Sequence, residues 1–289
     1  MDGVTPSSQD IKIIKTGWLV FRMTKRIELN IKSGVAEVKL NRPEKHNALD
    51  HAMFESLIEF GEKLAKDRSI RAVILYGAGK SFCAGIDLSI FSGESSSDDF
   101  LNKMEPRDNS LANYYQSAAY VWREIPVPVI AALHGAVYGG GLQIALGADI
   151  RYADENSAIS IMEIKWGIIP DMAITTSIPN LINIDKAFEI TMTGDILDAK
   201  TAFKLGLITE VKSDPLSQAR ELANIICQKS PDAIRSIKKL FYDTWGSNDK
   251  ISLSMEADIQ KKVMSSPNHM EAVKSSINRS EPDFSDSEF

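Results

Sequence analysis

The chain has 289 residues, 44% apolar and 25% charged, which excludes a disordered, collagen-like or coiled-coil protein. At roughly 150 residues per domain, this length allows one large domain or two ordinary ones. A balance of 33 basic against 39 acidic side chains, net −6, argues against a nucleic-acid partner, whose recognition rests on a basic footprint. A phosphate-bearing small ligand is still allowed, because a few local Lys or Arg residues suffice for it.

Taken in chain order, residues 1–22 hold one short apolar run, Trp18-Leu19-Val20-Phe21, behind a polar lead. A secretory signal would show a basic n-region and a longer apolar stretch. No segment approaches the ~20 apolar residues of a membrane span. A cytoplasmic protein with no membrane partner is expected, with 1–22 a loose, disordered extension and Met23 a second possible start. From Arg26 to Leu40, two alternating runs around Ser33-Gly34, residues 27–31 and 35–40, predict a β-hairpin. Residues 47–66 change to a helical period, with Leu49, Met53, Leu57 and Leu64 on one face. Buried-type strands are predicted at 71–76, 128–133 and 150–153. Strands alternating with helices indicate an α/β layout with parallel pairing. The Ser/Asp-rich insert from Ser92 to Ser110 reads as a surface loop or as a lid over a substrate.

The last third differs. Asp214-Pro215 and Ser230-Pro231 each place a capping residue before proline at the first helical position, and apolar series at helical spacing follow. A helical C-terminal region is expected. Two distant cysteines, Cys83 and Cys227, and four scattered histidines exclude a disulfide framework and zinc-type spacings, so no metal is expected.

Two glycine turns follow strands: Ser81-Phe82-Cys83-Ala84-Gly85-Ile86-Asp87-Leu88, and Tyr138-Gly139-Gly140-Gly141-Leu142-Gln143, which leads into a helix. Such turns bring backbone N–H groups close to a ligand. Neither matches GxGxxG or GxxxxGK[ST], which removes the dinucleotide and P-loop readings. Together with Asn41-Arg42-Pro43-Glu44-Lys45-His46-Asn47-Ala48-Leu49 and Met162-Glu163-Ile164-Lys165-Trp166-Gly167-Ile168-Ile169-Pro170, they make the chain resemble the crotonase (enoyl-CoA hydratase/isomerase) superfamily. The likeness runs from about Arg26 to Phe284 and includes Thr193-Gly194-Asp195, Ala202, Gly206-Leu207 and Val211.

The resemblance implies a spiral of ββα repeats over 23–194 that binds acyl-CoA, and a helical trimerisation region over 195–289. It also implies homotrimers or dimers of trimers, and a coenzyme A thioester as substrate rather than a separate cofactor. By position, the family's oxyanion hole maps onto the backbone N–H groups of Ile86 and Gly140. Two preorganised donors on a thioester oxygen stabilise an enolate and make the α-proton removable. Gly139 and Gln143 fall beside the substrate, and Ala84 beside the adenine. Lys45 and Arg279 become phosphate contacts, or simply solvated side chains.

A hydratase of this family uses two carboxylates, and the first of those positions here is Gln143. An amide orients water but does not transfer a proton at neutral pH. The second position is Glu163, and Asp171 follows eight residues later. The Glu163/Asp171 pair resembles the dienoyl-CoA isomerase branch, although that branch carries an acid where this chain has Gln143. The family's dehalogenase needs a histidine that this chain lacks between His51 and His134. The expectation is therefore an enolate-forming enzyme that moves a double bond, with Glu163 as principal base and Asp171 as partner. The alternatives are 2-enoyl-CoA hydration, or acyl-CoA binding without turnover. Structural readings stand beside these roles: Asp171 as a helix cap, Glu163 on a surface strand edge, Asp87 bonding its own turn, and Gln143 filling a polar spot.

Overall fold

The computed structural model describes residues 11–14, 18–21, 26–92, 101–108 and 110–289. The hairpin is present as β3 (Ile27–Lys32) and β4 (Val35–Leu40), paired antiparallel. β4 continues in parallel to β5 (Ala72–Gly77), β6 (Val129–Leu133), β8 (Ile150–Ala153) and β11 (Glu210–Val211). Within the stretch read as a loose extension, β1 (Ile11–Ile14) and β2 (Trp18–Phe21) add two antiparallel strands beside β3, extending the main sheet. The remainder of 1–25, and the heart of the Ser/Asp-rich insert (93–100 and 109), lie outside the described residues.

β5 and β6 are unbroken apolar runs because both faces of the sheet are covered. Val73, Leu75, Val129, Ala131 and Leu133 face the main core. Their neighbours Ala72, Ile74, Ile130 and Ala132 face the opposite way, under Ala219 and Ala223 of the Pro215–Cys227 helix.

A second, smaller sheet has three strands. β7 (Ala136–Tyr138) pairs with β9 (Ala158–Ser160), which pairs with β10 (Leu197–Asp198). Bridges Cys83↔Val137 and Leu49↔Ile86 prolong the ribbon. β6 therefore leads to β7 and the Gly140–Leu146 helix, and β8 leads to β9 and the Glu163–Trp166 turn. This is the expected spiral of ββα turns.

Two boundaries differ from the sequence reading. The first helix is His51–Lys66 rather than 47–66, because Asp50 caps it by accepting from Met53 N and Asn47 is left-handed. The division expected at 194/195 runs through continuous structure. β10 and β11 belong to the two sheets, and the Pro215–Cys227 helix covers the main one. Short strands of two residues leave little periodic signal, so β10 and β11 do not show within the 195–289 region, which is otherwise mainly helical as expected. Helices Pro231–Thr244, Asp249–Met264 and Pro267–Asn278 follow. Among the described residues, no helix is long and apolar enough to cross a membrane.

Candidate active site

The Asn41–Leu49 segment is organised by one fully buried side chain. Asn47, at φ 56°, donates from Nδ2 to the carbonyls of Ala78 (2.9 Å), Ser81 (2.8 Å) and Phe82 (3.1 Å). Its Oδ1 accepts from Arg42 N at 2.8 Å. Asparagine suits the position because it tolerates the left-handed region and offers donors and an acceptor together. Arg42 donates to Ala48 O (2.9 Å) and pairs with Asp87 at 2.6 Å. Asp87 also accepts from Ser89 N at 3.0 Å. That backbone bond, aided by Ser89's hydroxyl and Arg42, holds its carboxyl down to about 2. The 81–88 turn is thus tied to the 42–49 segment, and Asp87 has the structural part foreseen for it.

The same bracing turns one N–H outward. Leu49 N donates to Gly85 O (2.8 Å) and Asp87 N to Leu49 O (2.9 Å), so the bridge straddles Ile86. Among the described residues, neither the Ile86 N–H nor the Gly140 N–H, first in its helix, has a backbone acceptor. Gly85 (φ 88°) brings the two turns together: a Cβ there would stand 2.8 Å from Tyr138 O and 3.6 Å from Gly140 N. Gly139 (φ 51°) lets the backbone pass the carboxyl of Glu163, whose Oε1 would lie 3.2 Å from an added Cβ.

A cleft of about 400 Å³ opens here. Lys45, Ala84, Ile86, Gly139, Gly140, Gln143, Glu163 and Asp171 all line it, so the spiral brings together residues spread over more than a hundred positions. Met162, Trp166, Ile168, Met172 and Leu88 add apolar walls. The sequence motifs contained these residues without marking them as lining. Lys45 is the only basic side chain among the described lining residues. Arg279 is not brought to this cleft. It closes the Pro267–Asn278 helix in a left-handed conformation (φ 52°) and is exposed. Among the described residues, no group of three or more His, Cys, Asp or Glu could hold a metal ion.

Glu163 begins the Glu163–Trp166 turn and is 7% exposed, which removes the surface-edge reading. Burial raises its pKa above the usual carboxylate range, opposed by hydrogen bonds from its own backbone and Gln143 and reinforced by Asp171. Gln143, 2% exposed, donates from Nε2 to Glu163 Oε1 at 2.6 Å and accepts from Met172 N at 2.7 Å. Among the described residues, Glu163 Oε2 is buried without a partner. Asp171 is also raised by burial. It is not a cap: the next helix, Ile174–Ser177, starts after Ala173 with no side-chain capping bond. The double attachment of Gln143 was not foreseen; the only hint was one amide in the otherwise apolar run Gly140–Leu146, all of it buried.

Comparison with known proteins finds relatives over most of the chain. The enoyl-CoA hydratase/isomerase family model matches residues 30–287. The mitochondrial Delta(3,5)-Delta(2,4)-dienoyl-CoA isomerase of Mus musculus is 36% identical over 210 residues, 71% of this chain and 64% of that protein. An enoyl-CoA hydratase of Mycobacterium tuberculosis is 30% identical over 249 residues, 86% of this chain and 91% of its own length. The crystal structure of the enoyl-CoA hydratase from Bacillus anthracis superposes with a TM-score of 0.79 at 26% identity, covering 93% of this chain and 99% of that one.

Proposed function

We propose that this chain, which belongs to the enoyl-CoA hydratase/isomerase family, moves a carbon–carbon double bond within the acyl part of a coenzyme A thioester. The thioester oxygen accepts from the N–H groups of Ile86 and Gly140, neither of which has a backbone acceptor among the described residues. Glu163 takes a proton from carbon, and the electron pair of the broken C–H bond delocalises onto that oxygen as an enolate. The proton returns at a different carbon, with Asp171 as the partner carboxyl, and no atom is gained or lost overall. Ala84 and Lys45 flank the coenzyme A portion. No separate cofactor takes part.

The observation that carries this reading is the pairing of Gln143 with Glu163. The amide occupies one carboxylate oxygen and cannot itself supply a proton, and Asp87 is held by Arg42, so the carboxyls assigned to proton transfer are Glu163 and Asp171. Both sit at pKa values raised by burial, which suits groups that take up and release protons near neutral pH. The likeness to the mouse dienoyl-CoA isomerase points the same way. A second reading, hydration of 2-enoyl-CoA, is favoured by the likeness to the M. tuberculosis hydratase. Exposed Ile184, Phe188, Met192, Phe241 and Trp245 support assembly into homotrimers or dimers of trimers. The unpaired Cys83 and Cys227 fit a reducing, cytoplasmic setting.

Absorbance assays with 3,5-dienoyl-CoA and 2-enoyl-CoA test the assignment. Isomerisation is expected, reduced at least about 100-fold by Asp171→Asn, as for loss of a general acid–base group. Hydration as the dominant activity, unaffected by Asp171→Asn, would overturn it.

A further inference from the structure

The amide of Gln143 has only one workable orientation. Met172 N–H is a donor, so the atom 2.7 Å from it must be the oxygen. The amide nitrogen then faces Glu163 Oε1 at 2.6 Å. The flipped arrangement would set donor against donor at one end and oxygen against carboxylate oxygen at the other. With an N–H directed at it, Oε1 serves as an acceptor in both protonation states. Any proton that Glu163 carries therefore belongs on Oε2, which is buried and has no partner among the described residues.

The same amide reaches the segment that bears the second carboxyl. Met172 directly follows Asp171, so a single side chain links the Glu163 carboxyl to the backbone beside Asp171. We propose that Gln143 is a positioning residue that selects Glu163 Oε2 as the proton-exchanging oxygen and holds Glu163 and Asp171 in register. This deepens the proton-transfer role proposed for Glu163 and rests on that reading. Gln143 acts through Glu163 and need not touch the reacting carbons.

The charged groups that share the cleft with Glu163 are Asp171, Asp87 and Lys45. Asp87 is engaged by Arg42, which leaves Asp171 as the carboxyl that raises Glu163 further. The bond from Gln143 works in the opposite direction, because a donor to a carboxylate favours its charged form.

The test uses Gln143→Leu, which removes both bonds, and Gln143→Glu, which keeps an acceptor for Met172 N–H but loses the fixed donor. Folding of each is checked by circular dichroism melting. Glu163 is titrated in the free protein by carboxyl ¹³C NMR, with its signal assigned from its absence in Glu163→Gln. Glu163 is expected to titrate at higher pH in both variants than in the wild type. In Gln143→Leu, kcat is expected to fall roughly 10- to 100-fold, the range for losing a hydrogen bond to a charged group, with KM within about threefold. The low-pH limb of kcat should move up alongside the titration. A folded Gln143→Leu or Gln143→Glu protein whose Glu163 titrates as in the wild type would overturn the proposal. The NMR titration needs no turnover, so wild-type inactivity on every acyl-CoA would count against the isomerase reading alone.

Discussion

Gly85→Ala probes the contact on which the two-donor arrangement depends. A methyl group at Gly85 would meet Tyr138 O at 2.8 Å, backbone against backbone, with Gly140 N at 3.6 Å. No flexible side chain can give way there, so the two turns must move apart. The φ of 88° adds strain of about 1–2 kcal/mol for a residue with a Cβ, and overpacking adds roughly 1–3 kcal/mol. Gly167→Ala is the control: its φ of 70° carries the same kind of strain, but none of the described residues lies within 4 Å of the added methyl. Urea unfolding should therefore show a loss of about 2–5 kcal/mol for Gly85→Ala and about 1–2 kcal/mol for Gly167→Ala. Separation of the donors should lower kcat by roughly 10²–10³ for Gly85→Ala, the range for loss of one oxyanion donor. Gly167→Ala should stay within a few-fold of the wild type. If Gly85→Ala folds with kcat within threefold of the wild type, the spacing of the Ile86 and Gly140 N–H groups does not govern the reaction.

Three further outcomes are expected. Glu163 is needed as carboxylate, so kcat/KM should fall as pH drops through its raised pKa, and Glu163→Gln should abolish both the activity and that limb. Because the folded-state pKa is raised, the folded protein holds this proton more tightly than the unfolded chain. The contribution of Glu163 to stability is therefore full below the unfolded value and lost as pH rises through the folded one. Glu163→Gln should accordingly melt higher than the wild type at pH 7, with the difference vanishing towards about pH 4. Asn47→Ala strips the donor from three carbonyls and the acceptor from Arg42 N, and should cost about 2–4 kcal/mol in chemical denaturation together with a fall in kcat. Lys238→Met leaves Asp149 without its 2.7 Å ion pair at the junction of β6 with the Pro231–Thr244 helix. It should lower stability by about 1–3 kcal/mol, read by the same denaturation, since the half-buried Asp149 loses its charged partner but keeps the bonds from Val129 N and Tyr242 Oη.

Much of this protein follows from local sequence. The hairpin around Ser33-Gly34, the apolar strands 72–77 and 129–133, and the Asp214-Pro215 and Ser230-Pro231 helix starts are each set by neighbours a few residues apart. Ordered motifs likewise mark Ile86, Gly140, Gln143, Glu163 and Asp171 as one constellation before any fold is drawn, and the spiral gathers them into one cleft. Tertiary structure alone decides how that constellation is wired. The helix begins at His51 because Asn47 is used by carbonyls more than thirty residues away, a demand no local period reveals. β10 and β11 exist because partners from other turns of the spiral await them. Arg279 stands away from the cleft because its own helix fixes it elsewhere. The attachment of Gln143 to both Glu163 and Met172 is of the same kind. Hydrogen bonds and burial depend on which groups the completed fold brings within 3 Å, whereas periodicity and capping depend only on the chain nearby.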